Sequence, residues 1–245
     1  TRVMDAVLNE PVSTARADQL TEGLLQADDR EWPINFLATL CPHCGWDLTG
    51  GRDALVLTCG NCRRMWWERK GRLEQLKAAH VPTDAQTPFY LPFWRIQADV
   101  SHVRLETYAD LIKAANMPKV VQPGWDQTPF YFWNPAFKVR PHTYLTIASN
   151  VTLNQPHEKI EPGRPQGETL PVNLPLQEAV ESLKLNLAQF IRPIERRLEL
   201  IPQVEIRPRR FLLIYLPFQD TPFELVQPTI NLAVSKSALA HAKNL

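Results

Sequence analysis

The sequence has none of the short motifs that mark common enzyme chemistry. It lacks a glycine-rich phosphate loop, a Gly-x-Ser-x-Gly nucleophile elbow and a His-Glu-x-x-His metal pair. The six histidines are scattered and lone: His43, His80, His102, His142, His157 and His241. These absences favour a protein that is not an enzyme, and catalytic groups assembled from distant positions stay the open alternative.

Long apolar segments and an excess of one charge are also missing. The longest apolar run, residues 211–216, is far too short to span a bilayer. The formal net charge is +1, so the chain as a whole has no strong field that would attract nucleic acid or a membrane surface. We therefore expect a globular protein without a membrane span.

Glycine is scarce and proline is common, with 9 glycines against 22 prolines. This balance favours short bounded strands and stiff connections over long helices. Residues 86–90 read Gln-Thr-Pro-Phe-Tyr and recur unchanged at 127–131, and a relative, Ile-Tyr-Leu-Pro-Phe, occupies 214–218. The first two copies run into proline-bearing aromatic strands at 91–96, with Pro92, and at 132–139. We interpret the copies as a repeated strand unit whose proline marks a sheet edge or a bulge, because proline cannot donate to a ladder.

The four cysteines form two Cys-x-x-Cys pairs separated by fourteen residues: Cys41, Cys44, Cys59 and Cys62. Two such turns facing each other supply the four sulfurs that Zn²⁺ prefers in a closed structural site. Because sulfur fills every position, no coordination site is left for water or substrate, so the ion would hold structure and not catalyse. The alternatives are iron in the same sulfur tetrahedron and a redox disulfide within each pair.

This arrangement resembles the rubredoxin-knuckle zinc ribbon, a small β module, over about residues 38–70. The resemblance implies one structural Zn²⁺, with Fe as the less favoured metal. Alternating apolar residues at 34–40 predict a first ribbon strand with one face buried. Thiolates kept free for a metal argue for a reducing compartment, most simply the cytoplasm.

The segment after the last cysteine mixes basic and aromatic residues. Such a mixture is typical of a platform for single-stranded nucleic acid, but aromatics can also cover a metal site and dock a ribbon on its neighbour. We favour docking, because Glu68 and Glu74 dilute the positive charge. The candidate contacts with nucleic acid or a partner are Arg63, Arg64, Trp66, Trp67, Arg69, Lys70 and Arg72.

The remaining chain predicts an α+β protein: an N-terminal zinc ribbon packed on a β-rich domain with proline-aromatic strand repeats and two or three flanking helices. The expected divisions are a leader arm at 1–33, the ribbon at 34–75 and the β-rich domain at 76–245, with a proline-rich linker near 155–175. The clearest helix has apolar residues at helical spacing over 176–191, with Asn173 as its cap and Pro193 at its end.

These observations together favour a zinc-binding, non-catalytic subunit or adaptor that binds other proteins in a larger assembly. The closed sulfur shell, the missing catalytic motifs and the aromatic residues suited to interfaces all point that way. Two alternatives stay open, a nucleic-acid-binding zinc-ribbon protein and a rubredoxin-like iron protein that transfers electrons.

Overall fold

The computed structural model describes residues 37–85, 87–156 and 158–241, which form a mixed α/β protein richer in strand than in helix. The predicted leader at 1–33 lies outside these ranges, as does the start of the predicted strand at 34–40. In the described part of that strand, only Leu40 pairs, as an isolated bridge to Asp47. Ala38 and Leu40 are exposed, so the predicted buried face is wrong there.

A small sheet follows, in which each strand pairs antiparallel with the next along the chain. Its strands are β1 (Leu48–Thr49), β2 (Val56–Cys59), β3 (Met65–Arg69) and β4 (Arg72–Leu76). Lys70 and Gly71 join β3 to β4 with φ of 51° and 78°. Two consecutive positive φ angles are the requirement of a two-residue type I′ turn, which fits the twist of a hairpin.

The main sheet is built around a long antiparallel pair, β6 (Pro88–Val100) and β10 (Ile206–Asp220). Short strands flank this pair on both sides: β5 and β11 lie beside β10, and β7 and β9 lie beside β6. The short strands are β5 (Ala78–His80), β7 (Phe132–Pro135), β8 (Glu161–Pro162), β9 (Glu168–Thr169), β11 (Glu224–Gln227) and β12 (Leu232–Ser235). Strands β8 and β9 come from the proline-rich segment 155–175, which is therefore partly built into the sheet.

Two copies of the sequence repeat face each other at the centre of the main sheet. Tyr-Leu-Pro-Phe occurs at 90–93 and at 215–218, and Leu91 lies opposite Leu216. Before this point, each central strand has a short parallel neighbour: β9 beside β6 and β5 beside β10. After it, each has a short antiparallel neighbour: β7 beside β6 and β11 beside β10. The repeat is thus a structural unit with an approximate two-fold axis between the two leucines. The copy at 127–131 is not part of this pair.

The prolines of these two copies lie in the two central strands, so the expectation that they mark an edge or a bulge is wrong. The Pro92 carbonyl accepts from the Ala136 N–H at 2.9 Å, and the Tyr215 carbonyl accepts from the Val81 N–H at 3.0 Å. The backbone nitrogens of both prolines therefore point away from the other central strand, because the backbone groups of alternate residues in a strand point toward the same neighbouring strand. On that side one short flanking strand ends and the next begins, so no ladder bond is lost.

Six helices occur in the described ranges, more than the two or three expected. They are α1 (Tyr108–Ala114), α2 (Pro141–Asn154), α3 (Leu176–Glu181), α4 (Leu183–Phe190), α5 (Ile194–Leu200) and α6 (Lys236–His241). The predicted helix over 176–191 is divided in two at Ser182. Asn173 does not cap it, because its Oδ1 accepts from the Lys138 N–H at 2.8 Å. None of the described helices combines the length and apolar character needed to cross a bilayer.

A polar network is buried within the apolar core between β7 and helices α2 to α4. Asn134 and Asn186 have no exposed surface. Asn134 Nδ2 donates to the Tyr144 hydroxyl at 2.9 Å and the Ser182 hydroxyl at 2.7 Å, and its Oδ1 accepts from Asn186 Nδ2 at 2.8 Å. Around these groups the largest fully buried side chains are Trp94, Trp133, Phe93, Phe132, Phe137 and Phe218. The break in the predicted helix coincides with Ser182, whose hydroxyl also donates to the Ala179 carbonyl at 2.8 Å, a type of bond that often bends helices.

Candidate metal centre

Two turns of the same design bring the cysteines together. In the first turn the Cys41 N–H donates to the Trp46 carbonyl at 2.7 Å, and the Gly45 N–H donates to the Cys41 carbonyl at 2.8 Å. In the second turn the Cys59 N–H donates to the Arg64 carbonyl at 2.9 Å, and the Arg63 N–H donates to the Cys59 carbonyl at 3.1 Å. The fourth residue on has a positive φ in both turns, 73° at Gly45 and 57° at Arg63. This left-handed residue reverses the chain and aims both cysteine side chains at one point.

The sulfur atoms of the two turns lie next to each other. Cys41 Sγ is 3.6 Å from Cys62 Sγ, and Cys44 Sγ is 3.4 Å from Cys59 Sγ. All four sulfurs lie within 4.8 Å of one another. A disulfide needs an S–S distance of about 2.05 Å, so these distances describe four free thiols.

The sulfur positions fit one tetrahedral ion. With Zn–S bonds of about 2.3 Å, the corners of a tetrahedron lie about 3.8 Å apart. The closest cross-turn distances, 3.4 and 3.6 Å, are slightly shorter, and the widest spacing is under 4.8 Å. The four-cysteine group can therefore hold a metal ion. The same tetrahedron suits zinc and iron, so its geometry does not select between the two metals.

The charge balance of the thiols also favours a cation. Burial alone raises the pKa of Cys41, but the N–H groups of Cys44 and His43 and the neighbouring sulfurs outweigh burial and hold it at about 6. The Arg64 N–H lowers the pKa of Cys62, but burial and the other three sulfurs outweigh that bond and raise it to about 11. One thiolate therefore opposes the ionisation of the next. A divalent ion at the centre removes that repulsion and lets all four sulfurs bind as thiolates.

The cysteine side of the small sheet has almost no apolar core of its own. Its buried cluster consists of Cys41, Leu48, Cys59 and Trp66 alone among the described residues. Cys44 is exposed and Cys62 is half-buried. The other face of the same sheet is better supported, because Val56, Met65 and Leu76 belong to the main apolar core. The cysteine turns themselves therefore have little apolar support, which is the situation in which small modules rely on a metal.

The two neighbouring tryptophans of β3 face opposite sides of the small sheet, because successive side chains of a strand alternate. Trp66 is buried on the cysteine side. Trp67 points the other way, and its ring centroid lies 6.1 Å from that of Trp94 and 5.6 Å from that of Phe211. Trp66 and Trp67 are therefore both packed against protein.

The basic residues singled out in the sequence are not brought into one patch. Arg63 and Arg64 lie in the second cysteine turn, before β3 begins, whereas Arg69, Lys70 and Arg72 surround the hairpin turn at its far end. Arg64 and Arg69 are five residues apart along the chain, which separates the two groups by about 16 Å at 3.3 Å per residue. Arg69 also packs over Trp67 and pairs with Glu74 at 3.5 Å. Contact of these residues with nucleic acid or a partner stays a prediction.

Sequence reasoning missed two apolar side chains beside the first cysteine turn. Leu40 is 51% exposed and Trp46 is 60% exposed. The Trp46 indole lies against Gly60 of the second turn, where an added Cβ would sit 3.5 Å from the indole nitrogen. Trp46 is thus exposed and still held in place by both turns. In the sequence Trp46 directly follows Gly45 and lies outside any predicted strand, so the alternation of buried and exposed residues along a strand could not indicate its exposure.

No family model, curated protein sequence or solved structure matches this chain significantly. Family membership therefore supplies no function, and what the protein does has to follow from its own residues.

Proposed function

We propose that Cys41, Cys44, Cys59 and Cys62 bind one structural Zn²⁺, so that β1 to β4 form a zinc ribbon. We further propose that the protein is a non-catalytic subunit or adaptor that uses this ribbon to bind another protein. The observation that supports the metal site is four free thiols within 4.8 Å. A closed four-thiolate shell leaves the ion no open position, which is the pattern of structural zinc.

Metal analysis of the purified protein tests the first half of the proposal. We expect one zinc per chain, no visible absorption, and loss of the metal in a Cys59→Ser variant. An iron-loaded site would instead be coloured and redox-active, as in the electron-transfer alternative. A protein without stoichiometric metal, or with its cysteines joined as disulfides, would contradict the proposal.

The proposed contact with a partner centres on Trp46 and Leu40. On the opposite face of the small sheet, Trp67 packs on Trp94 and Phe211, which leaves the cysteine turns free to project. Tryptophan is enriched among the residues that dominate protein interfaces, because one rigid side chain buries a large apolar area. Holding Trp46 against Gly60 lowers the entropy lost on binding.

Purification from the native source under mild conditions tests the second half. We expect a stoichiometric partner with the unchanged chain and its loss in Trp46→Ala, a truncation that typically costs 2 kcal/mol or more at an interface hot spot. Phe223→Ala is the matched control, since Phe223 is an aromatic residue 81% exposed in the main sheet region. Equal recovery of the partner with both variants would rule out the cysteine turns as the contact.

Nucleic-acid binding through the β3 segment is the remaining alternative. Trp66 and Trp67 are packed against protein, so this function would depend on the arginines and lysine alone. Titration with single-stranded DNA and RNA at two salt concentrations decides it, because phosphate contacts weaken steeply as salt rises.

A further inference from the structure

A second feature lies between the small sheet and the main sheet, an open cleft of about 1100 Å³. Its walls are the second cysteine turn, β4, β5 and the segment around β8. This volume is slightly above the range of about 300–1,000 Å³ that is usual for small-ligand sites, as expected of a cleft that is open on one side. The cleft is distinct from the Trp46 surface proposed above as a protein contact.

The cleft is strongly basic although the chain is nearly neutral. Its described lining carries four cations and a single carboxylate, Glu161, which leaves a formal charge of +3: Arg63, Arg64, Lys77 and Arg164 are the cations. None of these four makes an ion pair within the described part of the chain. Many other described cations also lack an ion pair, so what distinguishes these four is that they line one cleft with a single carboxylate.

The one carboxylate of the cleft is directed at a histidine. Glu161 Oε2 lies 3.9 Å from His80 Nε2, while His80 Nδ1 lies 3.2 Å from the Gly163 carbonyl. The His80 ring also meets Tyr90 edge-on, with centroids 6.2 Å apart. His80 and Glu161 on this side of the cleft are therefore held by contacts with each other, with Gly163 and with Tyr90. The neighbouring cations are left without a negative group inside the protein.

A loaded metal centre accounts for only part of this charge. Four thiolates around Zn²⁺ carry a net charge of −2, which attracts Arg63 and Arg64 because both closely follow Cys62. Lys77 follows β4 and Arg164 follows β8, so neither belongs to the cysteine turns. Arg164 makes a hydrogen bond of 2.7 Å to the Thr169 hydroxyl, which leaves its charge unneutralised. Lys77 and Arg164 therefore carry positive charge that the metal centre does not balance.

We propose that this cleft binds a small molecule that carries a diphosphate or triphosphate group. Several arginines around one cavity suit phosphate, because the planar guanidinium donates two parallel hydrogen bonds to its oxygens. A single nucleic-acid strand fits less well, since it needs exposed aromatic rings for base stacking. Tyr90, the aromatic residue in the lining besides His80, is only 3% exposed.

Calorimetric titration of the zinc-loaded full chain with inorganic pyrophosphate and with ADP tests the proposal. We expect one site per chain, weakened about tenfold or more by Lys77→Gln and by Arg164→Gln, since each removes a charge-assisted hydrogen bond. Lys113→Gln and Arg207→Gln are the matched controls, because both side chains are exposed and neither lines the cleft. The controls should leave pyrophosphate affinity within twofold.

The outcomes separate the proposal from its competitors. The absence of pyrophosphate binding, or equal binding by the cleft variants and the controls, would overturn it. Tighter binding of a single-stranded oligonucleotide than of ADP, with the same dependence on Lys77 and Arg164, would replace it with a nucleic-acid groove. Thermal unfolding of each variant shows whether the fold is kept. Because Trp46 is not involved, failure here leaves the proposed partner contact untouched.

Discussion

The small sheet and the main sheet are held together by different means. On its cysteine side the small sheet buries four residues, two of which are metal-ligand candidates. The main sheet encloses an extensive apolar core with fully buried Trp94, Trp133 and Phe93. One face of β2, β3 and β4 also contributes to that main core. The cysteine side would depend on the proposed metal, whereas the main core depends on apolar area spread over many residues. Changes confined to the cysteine site should therefore destabilise the small sheet and leave the main sheet intact.

Removing the metal should have the largest effect and should be confined to the small sheet. Binding of structural zinc contributes about 10–16 kcal/mol in small zinc modules, far more than the cysteine-side cluster can replace. In Cys59→Ser we expect the amides of β1 to β3 to lose protection from hydrogen exchange while β6 and β10 keep theirs. Hydrogen-exchange mass spectrometry measures both regions at once.

Thr58→Ser is the control for that experiment, because it changes the neighbouring residue in the same strand and leaves the sulfurs alone. It should retain one metal per chain and full protection. If Cys59→Ser kept the small sheet protected, or if both sheets lost protection together, the contrast between the two regions would be disproved.

A deletion in the main core should lower global stability without affecting metal content. Phe93 is fully buried and meets Phe137 edge-on at 5.9 Å. Phe93→Ala should cost about 3–5 kcal/mol, the range for a buried aromatic that leaves a cavity. Denaturant unfolding measures this loss, with Phe223→Ala as the exposed counterpart expected within about 0.5 kcal/mol. A loss of zinc in Phe93→Ala would show that the sheets are not independent.

The polar network is a point of vulnerability inside the apolar region. Asn134→Ala removes the hydrogen bonds to Tyr144, Ser182 and Asn186, although each of these groups keeps one other partner. Each lost hydrogen bond costs about 0.5–1.5 kcal/mol, so we expect a loss of about 2–3 kcal/mol in denaturant unfolding. Asn154→Ala, which removes a partly exposed amide in α2, should cost less than 1 kcal/mol. Equal effects of the two substitutions would show that burial of the network is unimportant.

The sequence predicted the cysteine cluster well because its ligands are local. Two Cys-x-x-Cys turns fix the distance within each pair, and fourteen intervening residues are enough to bring the pairs together. The predicted strand-rich character was also readable from local patterns. What is encoded within about twenty residues was therefore accessible.

Features that depend on distant residues were not accessible. The prolines at 92 and 217 were expected at a sheet edge or a bulge. They are tolerated in the two central strands because each lies between two short flanking strands, and the positions of those strands could not be read from the sequence. The helix over 176–191 is divided at Ser182, which joins a network with Asn134, forty-eight residues earlier. The basic cleft likewise joins Lys77 to Arg164 across the fold. Hydrophobic periodicity in the sequence does not predict contacts between residues so far apart along the chain.

Trp67 gives the smallest and most specific test, because it lies in the small sheet but packs on the main one. Trp67→Ala removes the contacts with Trp94 and Phe211 at centroid distances of 6.1 and 5.6 Å. Since Trp67 is half-buried, we expect a loss of about 1–2 kcal/mol in thermal or denaturant unfolding with one metal still bound per chain. Trp46→Ala is the control, an exposed tryptophan of the same region expected to change stability by less than about 0.5 kcal/mol. Loss of the metal in Trp67→Ala would mean that the main sheet supports the cysteine cluster directly, and the two regions would then have to be regarded as one cooperative unit.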